Sequence, residues 1–247
     1  LHLCDRRQRQ MCIRDRTKEF TLEIPEDETA VLLAGQAGKP VTFEVTCNVV
    51  KKKVTPEDVK YVLSSHYQGT PYDPYAAAAA EKGIYRPIGV NRNDFMALLQ
   101  MRPDVPEDFR AVEWLAFASN AFNTMLPLYA NVDTAPEYLA NTTGDVSTDN
   151  FYWASRLLAA MADASYAKSV FHIERYTLSV GAKANHIINT CDDAQRAEAD
   201  PAARAALREK ANEEIAAMAK AETTDALNKV LFELSSGMKN AYSRSDA

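Results

Sequence analysis

The chain has 247 residues, of which 47% are hydrophobic and 25% are charged, and these proportions are ordinary for a soluble globular protein. The formal net charge of −6 argues against a nucleic-acid partner, which usually requires a basic surface. No run approaches the roughly 18 consecutive apolar residues of a membrane helix, so we expect a cytoplasmic protein without a membrane partner.

The first sixteen residues differ in composition from the rest of the chain. They contain five Arg and two Asp, and they show neither helical nor strand periodicity. The string Met11-Cys12-Ile13-Arg14-Asp15-Arg16 resembles translated sequencing-adapter DNA. We interpret residues 1–16 as an artefactual leader, and the alternative is a disordered basic tail.

Residues 17–50 alternate between apolar and polar side chains in a way that predicts two strands joined at a Gly35–Pro40 turn. The apolar faces consist of Phe20, Leu22 and Ile24 in the first strand and Val41, Phe43, Val45 and Cys47 in the second. We interpret Cys47 as a packing residue, because a cysteine on an apolar strand face is more often buried than reactive.

A helix is predicted to start at Thr55, which can cap it, with Pro56 in the first helical position. Its inward residues would be Val59, Val62 and Leu63, and Gly69 with Pro71 would end it. Three further segments read as strands: 95–101, 112–118 and 126–132. Their short connections predict an antiparallel meander. Because proline has no amide hydrogen, Pro127 predicts that the third strand lies at an edge of the sheet or begins at this residue.

The remainder is predicted to be helical, which makes the fold class α+β. Ser147-Thr148-Asp149 would cap one helix, and a second would bury one stripe of side chains. That stripe consists of Val170, Ile173, Thr177, Val180, Ala184, Ile187 and Cys191. Asp200-Pro201 would start a third helix that runs to about Ala221, and Thr223 or Thr224 would cap a fourth. The fourth would bury Leu227, Val230, Leu231, Leu234 and Met238.

The residues alone reveal little chemistry, because the sequence has no HExxH, CxxC, phosphate-loop or G-x-S-x-G motif. Four stretches and one strand, however, resemble the bacterial cysteine dipeptidases, which are relatives of the secernins. They are His66 to Tyr75, Arg86 to Gly89, Leu99 to Pro106, Ser147 to Trp153, and Glu113 to Ala118 with the residues that follow it to Tyr129. Their order and spacing over most of the chain make the match specific.

The resemblance implies the four-layer αββα fold of the N-terminal-nucleophile hydrolases and the hydrolysis of dipeptides by a processed N-terminal cysteine. It implies no metal or organic cofactor. This chain matches only the C-terminal half and lacks that cysteine, so we expect it to be inactive alone. We expect residues 17–195 to complete the dipeptidase domain with the N-terminal half of the same protein, and residues 196–247 to pack on it as a helical hairpin. A homo-oligomer is left open.

A dipeptide needs its termini recognised, and an arginine binds a carboxylate through paired hydrogen bonds. The candidates for substrate binding are Arg86, Arg92, Arg102, His66, Tyr72 and Asp73. The alternative is that each arginine is a surface residue or a structural ion-pair partner. In the same conservative interpretation, His66 contacts the end of its helix and Asp73 contacts backbone amides of its turn.

Two other functions stay open at this point. One is an amidase or acylase of the same superfamily, which would act on acylated amines. The other is a non-catalytic helical interaction protein, which the long C-terminal helices would suit.

Overall fold

The computed structural model describes residues 17–23, 39–46, 54–76 and 81–238. The chain divides into two compact units, residues 1–54 and 55–247. In the first unit, β1 (Thr17–Glu23) and β2 (Pro40–Thr46) form an antiparallel pair in which Phe20 lies opposite Phe43. These two predicted strands are confirmed. The leader, Ile24, Cys47 and most of the predicted turn lie outside the described residues.

The second unit begins with helix α1 (Pro56–Leu63) at the predicted start. Thr55 Oγ1 accepts a hydrogen bond from the Asp58 backbone amide, and the Asp58 carboxylate accepts one from the Thr55 amide. This reciprocal capping satisfies two amides that would otherwise lack partners. The predicted end at Gly69 is wrong, because Ser64 closes the helix and Tyr67 adopts a φ of 62°. The predicted inward position of Val62 is also wrong, since this side chain is exposed.

A three-stranded antiparallel sheet follows, in the order β3-β4-β5. Its strands are β3 (Phe95–Met101), β4 (Ala111–Phe117) and β5 (Leu126–Tyr129), and a short 3-10 turn, Glu107–Phe109, precedes β4. The meander is therefore confirmed. Pro127 lies opposite Trp114 on β5, which is an edge strand of the described sheet, as its missing amide hydrogen requires.

The two faces of this sheet differ in burial. Val112, Trp114 and Ala116 of β4 are buried on one face, together with Met96 of β3. On the opposite face Phe95, Leu99 and Met101 are 62%, 76% and 66% exposed. The register places the exposed Ala97 opposite Leu115 of β4 on this face, whereas Phe117, opposite Phe95, contacts Phe151 and Tyr152 of the following helix. One face therefore belongs to the core, and the other, which we call the open sheet face, is uncovered in the described part of the chain.

Helices cover the buried face. A single turn, α2 (Glu137–Ala140), is followed by α3 (Phe151–Ala164), whose Phe151, Leu158 and Ala162 are fully buried. The predicted cap of α3 is wrong by one residue. Asn150, and not the Ser147–Asp149 segment, caps the helix, because its Oδ1 accepts a hydrogen bond from the Trp153 amide at 2.9 Å.

We expect Asn150→Ala to lower the free energy of unfolding by about 1 kcal/mol, because the Trp153 amide loses its acceptor. Thr148→Ala is the matched control, since Thr148 is an exposed residue of the segment first predicted to cap the helix. The denaturation midpoint of the complete protein measures both. Equal effects of the two substitutions would contradict the assigned cap.

Two long helices complete the unit: α4 (Tyr166–Ala197) and α5 (Pro201–Ser235). They are antiparallel, because the Tyr176 hydroxyl lies 2.8 Å from Thr223 Oγ1 at one end and Arg208 donates to Gln195 Oε1 near the connection. The start of α5 at Asp200 and Pro201 is confirmed. Cys191 is buried against α5 with its Sγ 3.5 Å from the Leu207 carbonyl oxygen, as a packing residue should be.

The predicted break at Thr223 or Thr224 is wrong, and one continuous helix takes the place of the expected two-helix hairpin. Neither threonine hydroxyl caps a helix start. The Thr223 hydroxyl is hydrogen-bonded to the Tyr176 hydroxyl, and the Thr224 hydroxyl donates to the Lys220 carbonyl oxygen. Leu231 and Met238 are consequently exposed, contrary to prediction. On α4 four members of the predicted stripe are buried as expected: Ile173, Val180, Ala184 and Cys191. For the other three, the adjacent residues Ser169, Tyr176 and Ile188 are buried in place of Val170, Thr177 and Ile187.

The predicted α+β class is confirmed by one antiparallel sheet covered by helices. The αββα arrangement requires a second sheet packed on the first, and it stays a prediction. In the described ranges, every helix is too short or too polar to cross a bilayer.

Candidate functional site

The loop after α1 holds three of the predicted site residues. His66 is buried, with Nδ1 3.1 Å from the Ser64 carbonyl oxygen and Nε2 3.2 Å from the Tyr166 hydroxyl. Asp73 is buried and accepts a hydrogen bond from the Tyr75 amide at 3.0 Å. These contacts agree with the conservative interpretation of both residues, because His66 contacts the end of its helix and Asp73 contacts a backbone amide of its turn.

Beside His66 lies an aromatic and polar group that the sequence did not predict. The rings of Tyr75 and Tyr166 stack at 4.0 Å, and the Tyr75 hydroxyl donates to Asp163 Oδ1 at 2.8 Å. Asn91 Nδ2 donates to the same oxygen at 2.6 Å. Burial, followed by the hydrogen bond to Asp163, raises the pKa of Tyr75 well above its ordinary value. This hydroxyl is therefore a hydrogen-bond donor at neutral pH and not a base.

Tyr72 belongs to a more exposed cluster with Tyr67 and Tyr85, in which neighbouring ring centroids lie 5.0 to 6.4 Å apart. The φ of 62° at Tyr67 is uncommon for a bulky residue, and such strain concentrates at functional sites. The Tyr67 hydroxyl donates to the Arg86 carbonyl oxygen at 3.4 Å. Arg86 itself is exposed, and so is Arg92.

The loop and the Arg86–Arg92 segment are held together by backbone contacts. The Gly89 amide donates to the Ser65 carbonyl oxygen at 2.7 Å. A Cβ added at Gly89 would lie 2.6 Å from Ser64 backbone atoms, so this close approach requires glycine. The structure thus brings together His66, Tyr72, Asp73, Arg86 and Arg92 on two adjoining segments.

We expect Gly89→Ala to destabilise the complete protein by about 2 kcal/mol, because the new methyl group can be accommodated only if the loop backbone moves. Gly144→Ala is the control, since a Cβ there meets nothing within 4 Å and Gly144 has no positive φ. Thermal unfolding measures both variants. An unfolding temperature of Gly89→Ala equal to that of Gly144→Ala would refute the contact.

Arg102 lies outside this group. Its guanidinium forms two hydrogen bonds with the buried Asp192 carboxylate, at 2.6 and 3.1 Å, and a third with the Phe109 carbonyl oxygen at 2.6 Å. The Tyr129 hydroxyl donates to Asp192 at 2.7 Å. These contacts occupy the guanidinium and tie β3 to α4. The structure therefore favours the alternative of a structural ion pair for Arg102.

A second polar region at the end of β4 was missed as a site. We call residues Ala118 to Thr124 the asparagine loop; in it Ser119, Asn120, Asn123 and Thr124 are buried. Ala118 has a φ of 63°, and it and Tyr67 are the two non-glycine residues with positive φ in the described ranges. Asn120 Nδ2 donates to the Leu63 carbonyl oxygen, which joins this loop to the end of α1.

Lys60 of α1 reaches into the asparagine loop. Its Nζ donates to the Asn120 carbonyl oxygen and to Asn123 Oδ1. Desolvation by burial lowers the pKa of Lys60 to about 7. The signal in the sequence was weak, because Lys60 reads as a solvated helix residue until the fold places it beside residues 60 positions away.

Other grooves lie along the long helices, away from this region. One, of about 250 Å³, lies between α4 and α5 and includes His172, whose Nε2 is 3.4 Å from Glu233 Oε1. In the described ranges, no three His, Cys, Asp or Glu side chains are placed to hold a metal ion. The loop after α1, the Arg86–Arg92 segment and the asparagine loop form the candidate site.

The structure defines the class of the protein as an α+β unit with a polar site at the ends of β4 and α1. Residues 38–179 match the family model described as peptidase family C69. The match covers more than half of the chain, so the chain belongs to peptidase family C69. The family resemblance inferred from the motifs is confirmed.

Similar proteins carry dipeptidase names. A probable dipeptidase A of Streptococcus pyogenes serotype M3 (strain SSI-1) is 42% identical over 202 residues, which are 81% of this chain and 42% of the relative. A dipeptidase of Bifidobacterium longum (strain NCC 2705) is 38% identical over 79% of this chain and 44% of its own length. A probable dipeptidase B of Lactococcus lactis subsp. lactis (strain IL1403) is 34% identical over 79% of the chain. The chain spans about two fifths of these relatives.

Proposed function

We propose that this chain is the C-terminal part of a dipeptidase whose nucleophile, a cysteine at the mature N-terminus, lies in the part of the protein that the chain does not span. The observation that carries the proposal is the family match. Relatives that align with about four fifths of this chain and are named dipeptidases support it. The relatives are more than twice as long as the matched region, which leaves ample length for the missing half.

The proposed chemistry needs a thiol and a free α-amine on one residue. The amine, with an ordinary pKa near 7.7–8.0, takes the thiol proton as sulfur bonds to the peptide carbonyl carbon. The carbon–nitrogen bond then breaks, and the leaving amine receives the proton. Water cleaves the resulting thioester and restores the thiol. An internal cysteine such as Cys191 has no free amine, and burial raises its pKa above the ordinary value, which disfavours the reactive thiolate.

The open sheet face supports a second part of the proposal, that the N-terminal half of the same protein covers it. Phe95, Leu99 and Met101 are more than 60% exposed, and β3 is an edge strand of the described sheet. A contiguous exposed apolar patch of this kind is typical of a surface that contacts another protein segment. A second sheet packed there would produce the αββα arrangement.

We propose that five of the predicted residues, His66, Tyr72, Asp73, Arg86 and Arg92, form a substrate rim. Arg86 and Arg92 are exposed, and Tyr72 lies half-buried in the tyrosine cluster. His66 and Asp73 are buried in the same loop, where they contact the Ser64 carbonyl oxygen and the Tyr75 amide. We propose that the exposed side chains contact the dipeptide and that the buried pair positions them. The cytoplasmic location and the oligomeric state stay predictions.

The complete gene product, expressed from the extended reading frame, tests the function. We expect it to release amino acids from unmodified dipeptides, and to release them faster than it cleaves N-acyl amides of the same residues. Amino acid release measured by liquid chromatography distinguishes the substrates. Faster cleavage of the acyl amides would support the amidase alternative, and cleavage of neither class would refute both enzyme assignments.

A further inference from the structure

The asparagine loop concentrates buried polar groups around one basic group, the Lys60 amine. Ser119, Asn120, Asn123 and Thr124 are each less than 5% exposed, and the Lys60 ammonium donates to two neutral oxygens among them. Among the described residues, no carboxylate pairs with Lys60, and burial alone accounts for its lowered pKa. A buried ammonium without an acid is costly, and either loss of its proton at a lowered pKa or an anionic ligand relieves that cost.

A second polar group of the asparagine loop also lacks a partner. Ser119 Oγ is buried and forms no hydrogen bond in the described structure. Ser119 directly precedes Asn120, whose carbonyl oxygen receives Lys60. Buried hydroxyl groups are nearly always hydrogen-bonded, so an unsatisfied hydroxyl one residue before a carbonyl that binds a lysine without an acid points to a position for a ligand. The ligand must supply negative charge and hydrogen-bond acceptors.

We propose that Lys60 and Ser119 receive the C-terminal carboxylate of the dipeptide. One carboxylate oxygen accepts a hydrogen bond from the Lys60 ammonium, and the other accepts one from the Ser119 hydroxyl. A carboxylate suits this position because it carries one negative charge and two acceptor oxygens. The proposal rests on the proposed function, and it replaces the arginine that the sequence suggested for this role.

The geometry favours Lys60 over the predicted arginines for a physical reason. Arg86 and Arg92 are exposed, where water screens an ion pair and reduces it to a small contribution. Arg102 is already bound to Asp192. Lys60 is half-buried and held in place by Asn120 and Asn123, so its hydrogen bond to a carboxylate would be stronger.

The test compares each dipeptide with its C-terminal amide, which lacks the carboxylate, in the complete protein. For Lys60→Met we expect kcat/KM for the dipeptide to fall by about 10- to 100-fold, because one charge-assisted hydrogen bond is lost. The value for the amide should change little, so the preference for the dipeptide disappears. Lys82→Met, at an exposed lysine of the described chain, is the control and should keep the preference.

Ser119→Ala keeps the test decisive if Lys60→Met does not fold, because the Ser119 hydroxyl has no partner to lose in the structure. It should lower kcat/KM for the dipeptide by about 3- to 10-fold and leave the amide unchanged. An unchanged dipeptide-to-amide ratio in both variants would overturn the carboxylate site and leave the dipeptidase function standing. A wild-type protein that cleaves no dipeptide would overturn both.

Discussion

Replacing Asp192 by Ala is expected to lower the free energy of unfolding by about 3 kcal/mol, because removal of one partner leaves a largely buried cation unpaired. The Arg102 and Asp192 side chains are only 16% and 7% exposed. The Tyr129 hydroxyl loses its carboxylate acceptor in the same variant. The network joins β3 and β5 to α4, so its loss should destabilise the whole unit. Chemical denaturation of the complete protein measures the change.

The neighbouring residue on α4 supplies the control. Asp193 also pairs with an arginine, Arg196, at 3.0 Å, but its side chain is 81% exposed. An exposed pair of this kind contributes about 0–1 kcal/mol, so Asp193→Ala should be close to neutral. Equal stabilities of Asp192→Ala and Asp193→Ala would mean that the Arg102 pair is not structural. Arg102 would then return to the list of substrate-binding residues.

The second large effect concerns the open sheet face. Leu99→Lys should have opposite consequences in two contexts. In the isolated chain it should reduce self-association and hydrophobic dye binding, because it places a charge on an exposed apolar surface. In the complete protein it should cost about 2–3 kcal/mol, because a covered leucine loses its apolar contacts and a lysine would be buried. Light scattering, dye fluorescence and denaturation measure the three quantities.

Leu178→Lys is the matched control for this experiment. Leu178 is 68% exposed, but it lies on α4 and not on the sheet. We expect this substitution to leave the stability of the complete protein unchanged within about 0.5 kcal/mol. If Leu99→Lys were equally harmless in the complete protein, no second layer would cover β3, and the αββα prediction would fail.

Local patterns in the sequence predicted the regular elements well. The alternation of β1 and β2, the proline in β5 and the capping residues of α1 and α5 are signals that act within a few residues, so the sequence alone reveals them. One failure occurred where a tertiary contact overrode a local signal. Thr223 resembles a helix cap, but its hydroxyl bonds to Tyr176 on the neighbouring helix, and α5 continues through it.

The candidate site could be predicted only in part from the sequence, because it too depends on tertiary contacts. His66, Asp73 and Arg86 belong to motifs, and the fold places their segments side by side. The ion pair of Arg102 could be named only as an alternative, because its partner Asp192 lies 90 residues away. Lys60 was missed because nothing in its helix distinguishes it from a solvated lysine. Its role depends on contacts with Asn120 and Asn123, which only the folded chain brings near.

One measurement tests the central claim most directly: dipeptide turnover by the complete protein, by the same protein with its N-terminal cysteine replaced by alanine, and by residues 17–247 alone. The thiol outside this chain should account for all catalysis. Of these three proteins, we therefore expect only the complete protein with its N-terminal cysteine to turn over dipeptides. The Cys47→Ala and Cys191→Ala variants of the complete protein should remain active. Turnover by residues 17–247 that is lost on replacement of Cys47 or Cys191 would contradict the account.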